Sequence, residues 1–343
     1  MSLLDDSRLV VLVGAGGVGK TTVAAALGLE SAREGSNTLV MTFDPSMRLK
    51  DTLGVGEAAR DREVRVAVDT PGRLDASLLD ARKTFDRLVV RYAPDEDAAR
   101  RILENGFYRN LAGSLGGILE YMAVERLYEV ARENRYDRVV LDTPPARQAL
   151  DFLEAPDRII DFLESGALRI ALKPWFDEHG HLRATSRLGP LGRGVEGFLD
   201  RIVGLDLLRE MAEFFQAFGP LFDGFRKRAG QVQELLRAPE TSFVLVAGPG
   251  EERVSDTMFF ARRLREAAYR LGPIVVNRLH PRLEGSGDGA RLLRWLGERD
   301  HRGLEALKSL IPQDHPIIPI PLLPEEPTTL LTLEKISASW CQA

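Results

Sequence analysis

Residues 14–22 of this chain of 343 residues read Gly-Ala-Gly-Gly-Val-Gly-Lys-Thr-Thr. They match G-x-x-x-x-G-K-[ST], a pattern typical of loops that bind the phosphates of nucleoside triphosphates. Glycines let the backbone turn its N–H groups toward phosphate oxygens, the lysine brings a positive charge, and the hydroxyl after it suits Mg²⁺. Five apolar residues, 9–13, precede the loop, and an alanine-rich helical run follows it. This strand–loop–helix context predicts a nucleoside triphosphate site. The residues expected to contact the nucleotide are Gly16, Gly17, Val18, Gly19, Lys20, Thr21 and Thr22.

The same glycines also satisfy G-x-G-x-x-G, the pattern of dinucleotide-binding folds. Lys20 and Thr21 decide against that alternative, because a dinucleotide site has no use for a lysine and a magnesium-binding hydroxyl at these positions. We expect ATP and Mg²⁺ as the cofactors.

Composition narrows the class of protein further. The net charge of −5 argues against nucleic-acid binding, which is driven by basic surfaces. Cys341 is the only cysteine, so an internal disulfide or a cysteine-based metal site is excluded and a reducing compartment is expected. The N-terminus lacks the basic and apolar regions of a signal peptide, and no apolar run reaches 18 residues. We therefore expect a cytoplasmic protein without a transmembrane segment.

Apolar runs of four to eight residues recur along the chain, with helical stretches between them. Strands that are covered by helices on both faces have this pattern. The predicted strands are 9–13, 38–43, 64–68, 138–141, 242–247, 273–276 and 316–320. The sequence thus predicts an α/β fold of the P-loop NTPase type, with a mostly parallel sheet flanked by helices.

Two intervals, about 74–135 and 146–238, carry no strand signal and are rich in Leu, Arg, Glu and Phe at helical spacing. We expect one P-loop ATPase domain over residues 1–343, in which these insertions form a helical subdomain. A stripe of apolar residues within the second insertion fits either the core of that subdomain or a groove for an apolar client helix. Its members are Leu207, Met211, Phe214, Phe215, Phe218, Phe222 and Phe225.

Two aspartates follow predicted strands. Asp142 ends the strand at 138–141, where an acidic residue helps to hold Mg²⁺ in this architecture. Asp44 follows the strand at 38–43, where a carboxylate can hold an attacking water; alternatively, Asp44 caps the next helix. We expect Lys20 and Asp44 to be catalytic, and Thr21, Asp44 and Asp142 to lie at the magnesium ion.

Asn277 ends the predicted strand at 273–276 and can pair with the N6/N7 edge of adenine. Guanine recognition by N-K-x-D would need an aspartate three residues later, where this chain has His280, so ATP is favoured over GTP. Pro321 and Leu322 follow the last predicted strand and either wall the adenine ring or form a rigid turn.

Five motifs in this order resemble the arsenite-pump ATPase (ArsA) family, which includes the ATPases that target tail-anchored proteins. Besides the loop, they are Asp44-Pro45-Ser46-Met47-Arg48-Leu49, Asp142-Thr143-Pro144-Pro145, Asn277, and Pro321-Leu322-Leu323-Pro324. The resemblance covers about residues 8–335. It implies a nucleotide-gated homodimer in which Asp44 orients the hydrolytic water, Asp142 is the second switch aspartate, Asn277 reads adenine, and Pro321 and Leu322 flank the base. A protein client or a membrane partner is also implied, but the sequence does not name one.

The chain departs from the family pattern in three ways. Ala15 stands where the family has a lysine that reaches the partner subunit's phosphates; Arg48 and Arg147 are candidate replacements. The arsenite-binding cysteines and the zinc-binding Cys-x-x-Cys are absent. Ala15 keeps open the alternative of an ATP-dependent interaction module with little hydrolysis. A positioning ATPase of the MinD/ParA type is a further alternative, because it shares the loop and Asp142-Thr143-Pro144-Pro145, but residues 330–341 lack the basic amphipathic face of a membrane anchor.

Overall fold

The computed structural model describes residues 7–43, 48–60, 62–109, 118–143, 154–155, 157, 161, 210, 213–214, 217–218, 221–282 and 286–338. The strands are β1 (Leu9–Val13), β2 (Thr38–Thr42), β3 (Val64–Arg65), β4 (Leu74–Leu78), β5 (Arg138–Asp142), β6 (Thr241–Ala247), β7 (Leu271–Leu279) and β8 (Ile317–Pro321). The helices are α1 (Lys20–Arg33), α2 (Arg48–Leu53), α3 (Ala81–Tyr92), α4 (Glu96–Glu104), α5 (Ile118–Glu133), α6 (Phe222–Arg237), α7 (Val254–Glu266), α8 (Asp288–Leu310) and α9 (Leu330–Ser337). Short 3-10 turns lie at Glu57–Ala59 and Glu251–Arg253.

The strands form one sheet in the order β3-β4-β2-β5-β1-β6-β7-β8. All neighbours are parallel except β3, which runs antiparallel to β4. Every residue of β1, β2, β4 and β6 is buried, as expected for strands with helices on both faces. The predicted α/β fold with a mostly parallel sheet is confirmed.

Two details of the predicted strands are wrong. The run 64–68 forms a strand only at Val64–Arg65, and this strand is antiparallel. The interval from 74, which we expected to be helical, begins with the buried strand β4. Polar residues conceal β4 in the sequence: Asp75 and Ser77 are both buried. The Asp75 carboxylate accepts hydrogen bonds from Tyr136 Oη at 2.7 Å and Arg73 Nε at 2.8 Å, which compensates its burial.

The chain divides into two compact units. The first consists of Met1–Asp80, Arg126–Asp151 and Glu234–Ala343 and contains the sheet. The second consists of Ala81–Glu125 and Phe152–Gln233. Whether the chain acts as a single domain with an inserted helical part stays a prediction.

Aromatic side chains form the core of the second unit. Phe214, Phe218 and Phe225 are at most 6% exposed and pack with Phe85 and Tyr108. The ring centroids of Phe214 and Phe218 lie 5.1 Å apart, and those of Phe218 and Phe225 lie 5.0 Å apart. These members of the predicted apolar stripe belong to a core; Leu207, Met211 and Phe215 lie outside the described residues.

A buried ion pair within the second unit joins a residue of α5 to a residue of α6. Arg228 Nε lies 2.6 Å from Glu125 Oε1, and the two side chains are 6% and 0% exposed. Tyr121 Oη, whose pKa is raised by burial and by the nearby Glu125 carboxylate, donates to Glu125 Oε2 at 3.3 Å. Arg228 is therefore a cation that compensates the burial of Glu125.

Replacing Arg228 with methionine is expected to lower the free energy of unfolding by about 3–5 kcal/mol, because it breaks a buried ion pair by removing one of its two charges. Chemical denaturation measures this change. The double variant Glu125→Leu/Arg228→Met should recover most of the loss. Lys308→Ala breaks an exposed pair with Glu305 and should cost less than about 1 kcal/mol. Equal losses in Arg228→Met and Lys308→Ala would contradict the prediction.

Candidate nucleotide-binding site

The carboxyl ends of the central strands meet at the loop predicted to bind phosphate. In the sheet, Leu12 of β1 pairs with Asp142 of β5, and Asp142 pairs in turn with Thr42 of β2. The chain then leaves β1 into residues 14–19 and enters α1 at Lys20. In open α/β sheets, ligands bind outside the carboxyl ends of the strands, at the point where the strand order reverses direction. Here that edge is formed by the ends of β1, β2 and β5.

The glycines of the loop adopt conformations that other residues rarely reach. Gly17 and Gly19 have φ of +77° and +93°, in the left-handed region. Gly19 is the N-cap of α1, and among the described residues no side chain caps this helix. By contrast, the Asp95 side chain accepts from the N–H of Ala98 at the start of α4. The N–H groups at the start of α1 thus lack a side-chain cap and suit an anion.

Lys20 is 7% exposed at the first turn of α1. Its ammonium group donates hydrogen bonds to the carbonyl oxygens of Gly14, at 3.1 Å, and Ala15, at 3.0 Å. The chain therefore folds back so that the lysine charge lies inside the curve of the loop. Phosphate oxygens bind an ammonium group in the same way.

Thr21 and Asp142 are brought together, as the sequence predicts. Thr21 Oγ1 donates to Asp142 Oδ2 at 2.6 Å. Thr42 Oγ1 donates to the same carboxylate oxygen at 2.9 Å. Asp142 is 1% exposed, so the two hydroxyls fix a buried carboxylate beside the first turn of α1. The neighbouring Thr22 is half-buried in the same turn.

Asn277 lies against the loop at the end of β7. Its Nδ2 donates to the carbonyl oxygen of Val18 at 2.8 Å, and its side chain is buried. His280, the residue three positions later, is bound through Nδ1 to Asp300 Oδ2 at 2.7 Å. Burial alone would raise the pKa of Asp300, but hydrogen bonds from His280 and Arg299 hold it below its usual value. The His280 side chain is thus hydrogen-bonded to Asp300 of α8.

Pro321 and Leu322 are exposed at the carboxyl end of β8. The N–H of Leu322 donates to the carbonyl oxygen of Leu279 at 2.8 Å, so both residues lie beside the end of β7 that carries Asn277. This position fits either of the two roles considered for them, a wall for the base or a turn. Asp44 and Arg147, and the side chain of Arg48, lie outside the described residues.

The structure adds three side chains that sequence reasoning did not assign to the site. Thr42 binds Asp142, as described above. Arg278 donates from Nη1 to the carbonyl oxygen of Gly17 at 3.0 Å. Arg253 lines a small pocket together with Ala15 and Val18. Thr42 and Arg278 are signalled in the sequence only by their places near strand ends, whereas Arg253 lies six residues beyond β6, in the 3-10 turn Glu251–Arg253.

Replacing Gly19 with alanine is expected to weaken ATP binding at least about tenfold. A Cβ atom at this position would lie 2.3 Å from Asn277 Nδ2, and the backbone φ already disfavours a side chain. Calorimetric titration with ATP measures the loss. Gly35→Ala is the matched control, because Gly35 has φ of +95° but nothing within 4 Å of an added Cβ. Equal ATP affinity in Gly19→Ala and the wild type would contradict this account of the loop.

Among the described residues, no helix has the length and apolar character needed to cross a membrane.

Comparisons with known proteins agree with this fold. The family model described as anion-transporting ATPase matches residues 7–183, just over half of the chain. A protein of Aquifex aeolicus named arsenical pump-driving ATPase 1 is 23% identical over 340 residues, covering 96% of this chain and 78% of that protein. Proteins named ATPase get3 from Aspergillus terreus and Neurospora crassa are each 25% identical. They cover 96% and 98% of this chain and 89% and 91% of their own lengths. The chain belongs to the ArsA family of anion-transporting ATPases.

Proposed function

We propose that this protein binds MgATP at residues 14–22 and hydrolyses the bond to the γ-phosphate. The observation that carries the proposal is the contact of Thr21 with Asp142 beside Lys20 at the uncapped start of α1. A lysine, a hydroxyl and a carboxylate at one loop are the groups that phosphoryl transfer from ATP requires.

The residues at the site suit a magnesium ion. Mg²⁺ prefers oxygen ligands, and the Thr21 hydroxyl and Asp142 carboxylate are oxygen donors 2.6 Å apart. Thr21 and Asp142 would hold the ion, and the sequence adds Asp44 to this set. When bound, Mg²⁺ neutralises charge on the phosphate oxygens.

The side chains have distinct roles in the proposed reaction. Lys20 transfers its hydrogen bonds from the carbonyl groups of Gly14 and Ala15 to phosphate oxygens. The N–H groups of the loop and of the first turn of α1 stabilise the charge that develops as the γ-phosphate leaves. Asp44 orients the attacking water, the role that the family resemblance implies.

Asn277 supports adenine as the base. Each amide side chain has two N–H donors and two acceptor lone pairs. Asn277 uses one donor on the Val18 carbonyl, and its Oδ1 accepts one hydrogen bond, from the N–H of Arg278 at 2.9 Å. One donor and one acceptor thus remain for the N6/N7 edge of adenine. The exposed Pro321 and Leu322 provide apolar surface beside it.

We further propose that the protein works as a cytoplasmic homodimer whose nucleotide cycle moves a protein client or a membrane partner. One relative is named for an arsenical pump. This chain has a single cysteine, so thiolate coordination of a metalloid within one subunit is not part of the proposal.

Ala15 favours a second candidate, an ATP-dependent interaction module with little hydrolysis, because a missing cation costs transition-state stabilisation. Arginine-finger contributions are about 10³–10⁵-fold in rate.

Steady-state ATP hydrolysis over a wide range of protein concentration separates the two candidates. For a catalytic dimer, specific activity should rise with concentration and reach a plateau, because subunit association completes the site. ATP binding with a rate near zero at every concentration would instead support the interaction module. Absence of both binding and hydrolysis would refute the proposal as a whole.

A further inference from the structure

The carboxyl end of β7 carries a bulge beside the phosphate loop. The register between β7 and β8 shifts between Val276 and Leu279. Inside this shift, Arg278 has φ of +62°, in the left-handed region that residues other than glycine rarely adopt. The N–H of Arg278 donates to Asn277 Oδ1 at 2.9 Å, which stabilises the local turn. Backbone strain of this kind concentrates at functional sites.

The bulge aims two consecutive side chains at the same loop. Successive side chains of a regular strand point to opposite faces of the sheet. Here Asn277 Nδ2 binds the carbonyl oxygen of Val18 at 2.8 Å, and Arg278 Nη1 binds that of Gly17 at 3.0 Å. Re-aiming a side chain is what β-bulges near active sites do. The two side chains therefore hold two consecutive carbonyl groups of the loop.

Holding these carbonyl groups also fixes the adjoining N–H groups. Each peptide group is planar and trans, so its C=O and N–H bonds point in opposite directions. With the carbonyls of Gly17 and Val18 held toward β7, the N–H groups of Val18 and Gly19 point away from β7. The N–H groups are the part of such a loop that binds phosphate oxygens.

We propose that Arg278 is a positioning residue that presets the phosphate loop: by holding the Gly17 carbonyl, it orients loop N–H groups for the phosphates. This inference rests on the proposed ATP site. It differs from a role for Arg278 on the base, where its exposed guanidinium would stack on adenine. A positioning role acts on any ligand with a phosphate chain, whereas a stacking role needs the base.

The test compares ATP with inorganic tripolyphosphate, which has no base, in competition against a fluorescent ATP analogue. We expect Arg278→Ala to weaken both ligands by the same factor, about tenfold, because one hydrogen bond from a charged group is lost. Lys can still donate to the Gly17 carbonyl, so Arg278→Lys should stay within about threefold of the wild type. In turnover, KM should rise about tenfold and kcat should fall by a smaller factor, since the oriented N–H groups bind the phosphates in the ground state and also stabilise the charge that develops in the transition state.

Arg282→Ala is the matched control, because Arg282 is an exposed arginine just beyond the same strand and its loss removes the same charge. It should leave both affinities unchanged. A loss of ATP affinity without a loss of tripolyphosphate affinity would overturn the proposal in favour of stacking on the base. Unchanged binding of both ligands in Arg278→Ala would also overturn it. If the wild type binds neither ATP nor tripolyphosphate, the proposed ATP site itself is refuted, before any variant is compared.

Discussion

Lys20→Ala is expected to abolish tight binding of ATP, with at least a 100-fold loss of affinity. Hydrogen bonds to charged groups contribute about 1.5–3 kcal/mol each, and the Lys20 ammonium already makes two at this site, to carbonyl oxygens that phosphate oxygens would replace. Two such bonds account for a 100-fold loss, which corresponds to about 2.8 kcal/mol. The fold should persist, because alanine is a strong helix former at the start of α1.

Calorimetric titration with MgATP measures the loss, and a thermal melt of each variant checks that the protein is folded. Lys308→Ala is the control: this lysine is 48% exposed on α8 and pairs with Glu305, so its removal changes net charge by the same amount. The Lys308 variant should bind ATP as the wild type does. Undiminished ATP affinity in a folded Lys20→Ala protein would show that residues 14–22 are not the nucleotide site.

The parts of the fold that were predictable are those whose sequence pattern depends on burial alone. β1, β2 and β6 are apolar runs because helices cover both faces of the sheet, and their positions could be read directly. β4 could not, since Asp75 and Ser77 interrupt the apolar pattern. One of the two partners that compensate the burial of Asp75, Tyr136, lies 61 residues away in the chain. Burial and the hydrogen bond with Asp75 raise the pKa of Tyr136, so its phenol remains a donor. Arg73, the other partner of Asp75, is only two residues away, but an arginine beside an aspartate is also common in exposed segments, so the local pattern does not indicate a buried strand.

In the candidate site, too, local motifs could be predicted from the sequence and contacts between distant segments could not. The glycine-rich loop, Lys20 and Thr21 form one local motif, and Asp142 ends an apolar strand, so these positions follow from the sequence. The contact of Arg278 with Gly17 does not, because it depends on a shift in register between β7 and β8. That shift depends on how two strands pair, which neither strand's residues specify alone.

Asp142→Asn is expected to lower the rate of ATP hydrolysis by about 10²–10³-fold, the typical cost of removing one group that stabilises the transition state. Asparagine keeps the shape of the side chain, and its oxygen can still accept from Thr21 and Thr42. The variant therefore removes the negative charge while keeping the local packing. Because that charge is what a magnesium ion would bind, the increase of ATP affinity on addition of Mg²⁺ should also shrink.

Thr42 and Thr21 both donate to the same carboxylate oxygen of Asp142. Variants of Thr42 therefore serve as the control for Asp142→Asn, and variants of Thr21 test the second proposed ligand of the ion. Thr42→Val removes only a hydrogen bond to Asp142 and should change the Mg²⁺ dependence of ATP binding by less than about threefold. Thr21→Val removes a hydroxyl that would bind the ion, so it should impair the Mg²⁺ dependence as Asp142→Asn does. Thr21→Ser keeps the hydroxyl and should leave the Mg²⁺ dependence unchanged. Wild-type turnover and Mg²⁺ dependence in Asp142→Asn would mean that the carboxylate merely anchors two hydroxyls. The charge of Asp142 would then have no part in the reaction, and the ion would have to be held by other groups of the loop.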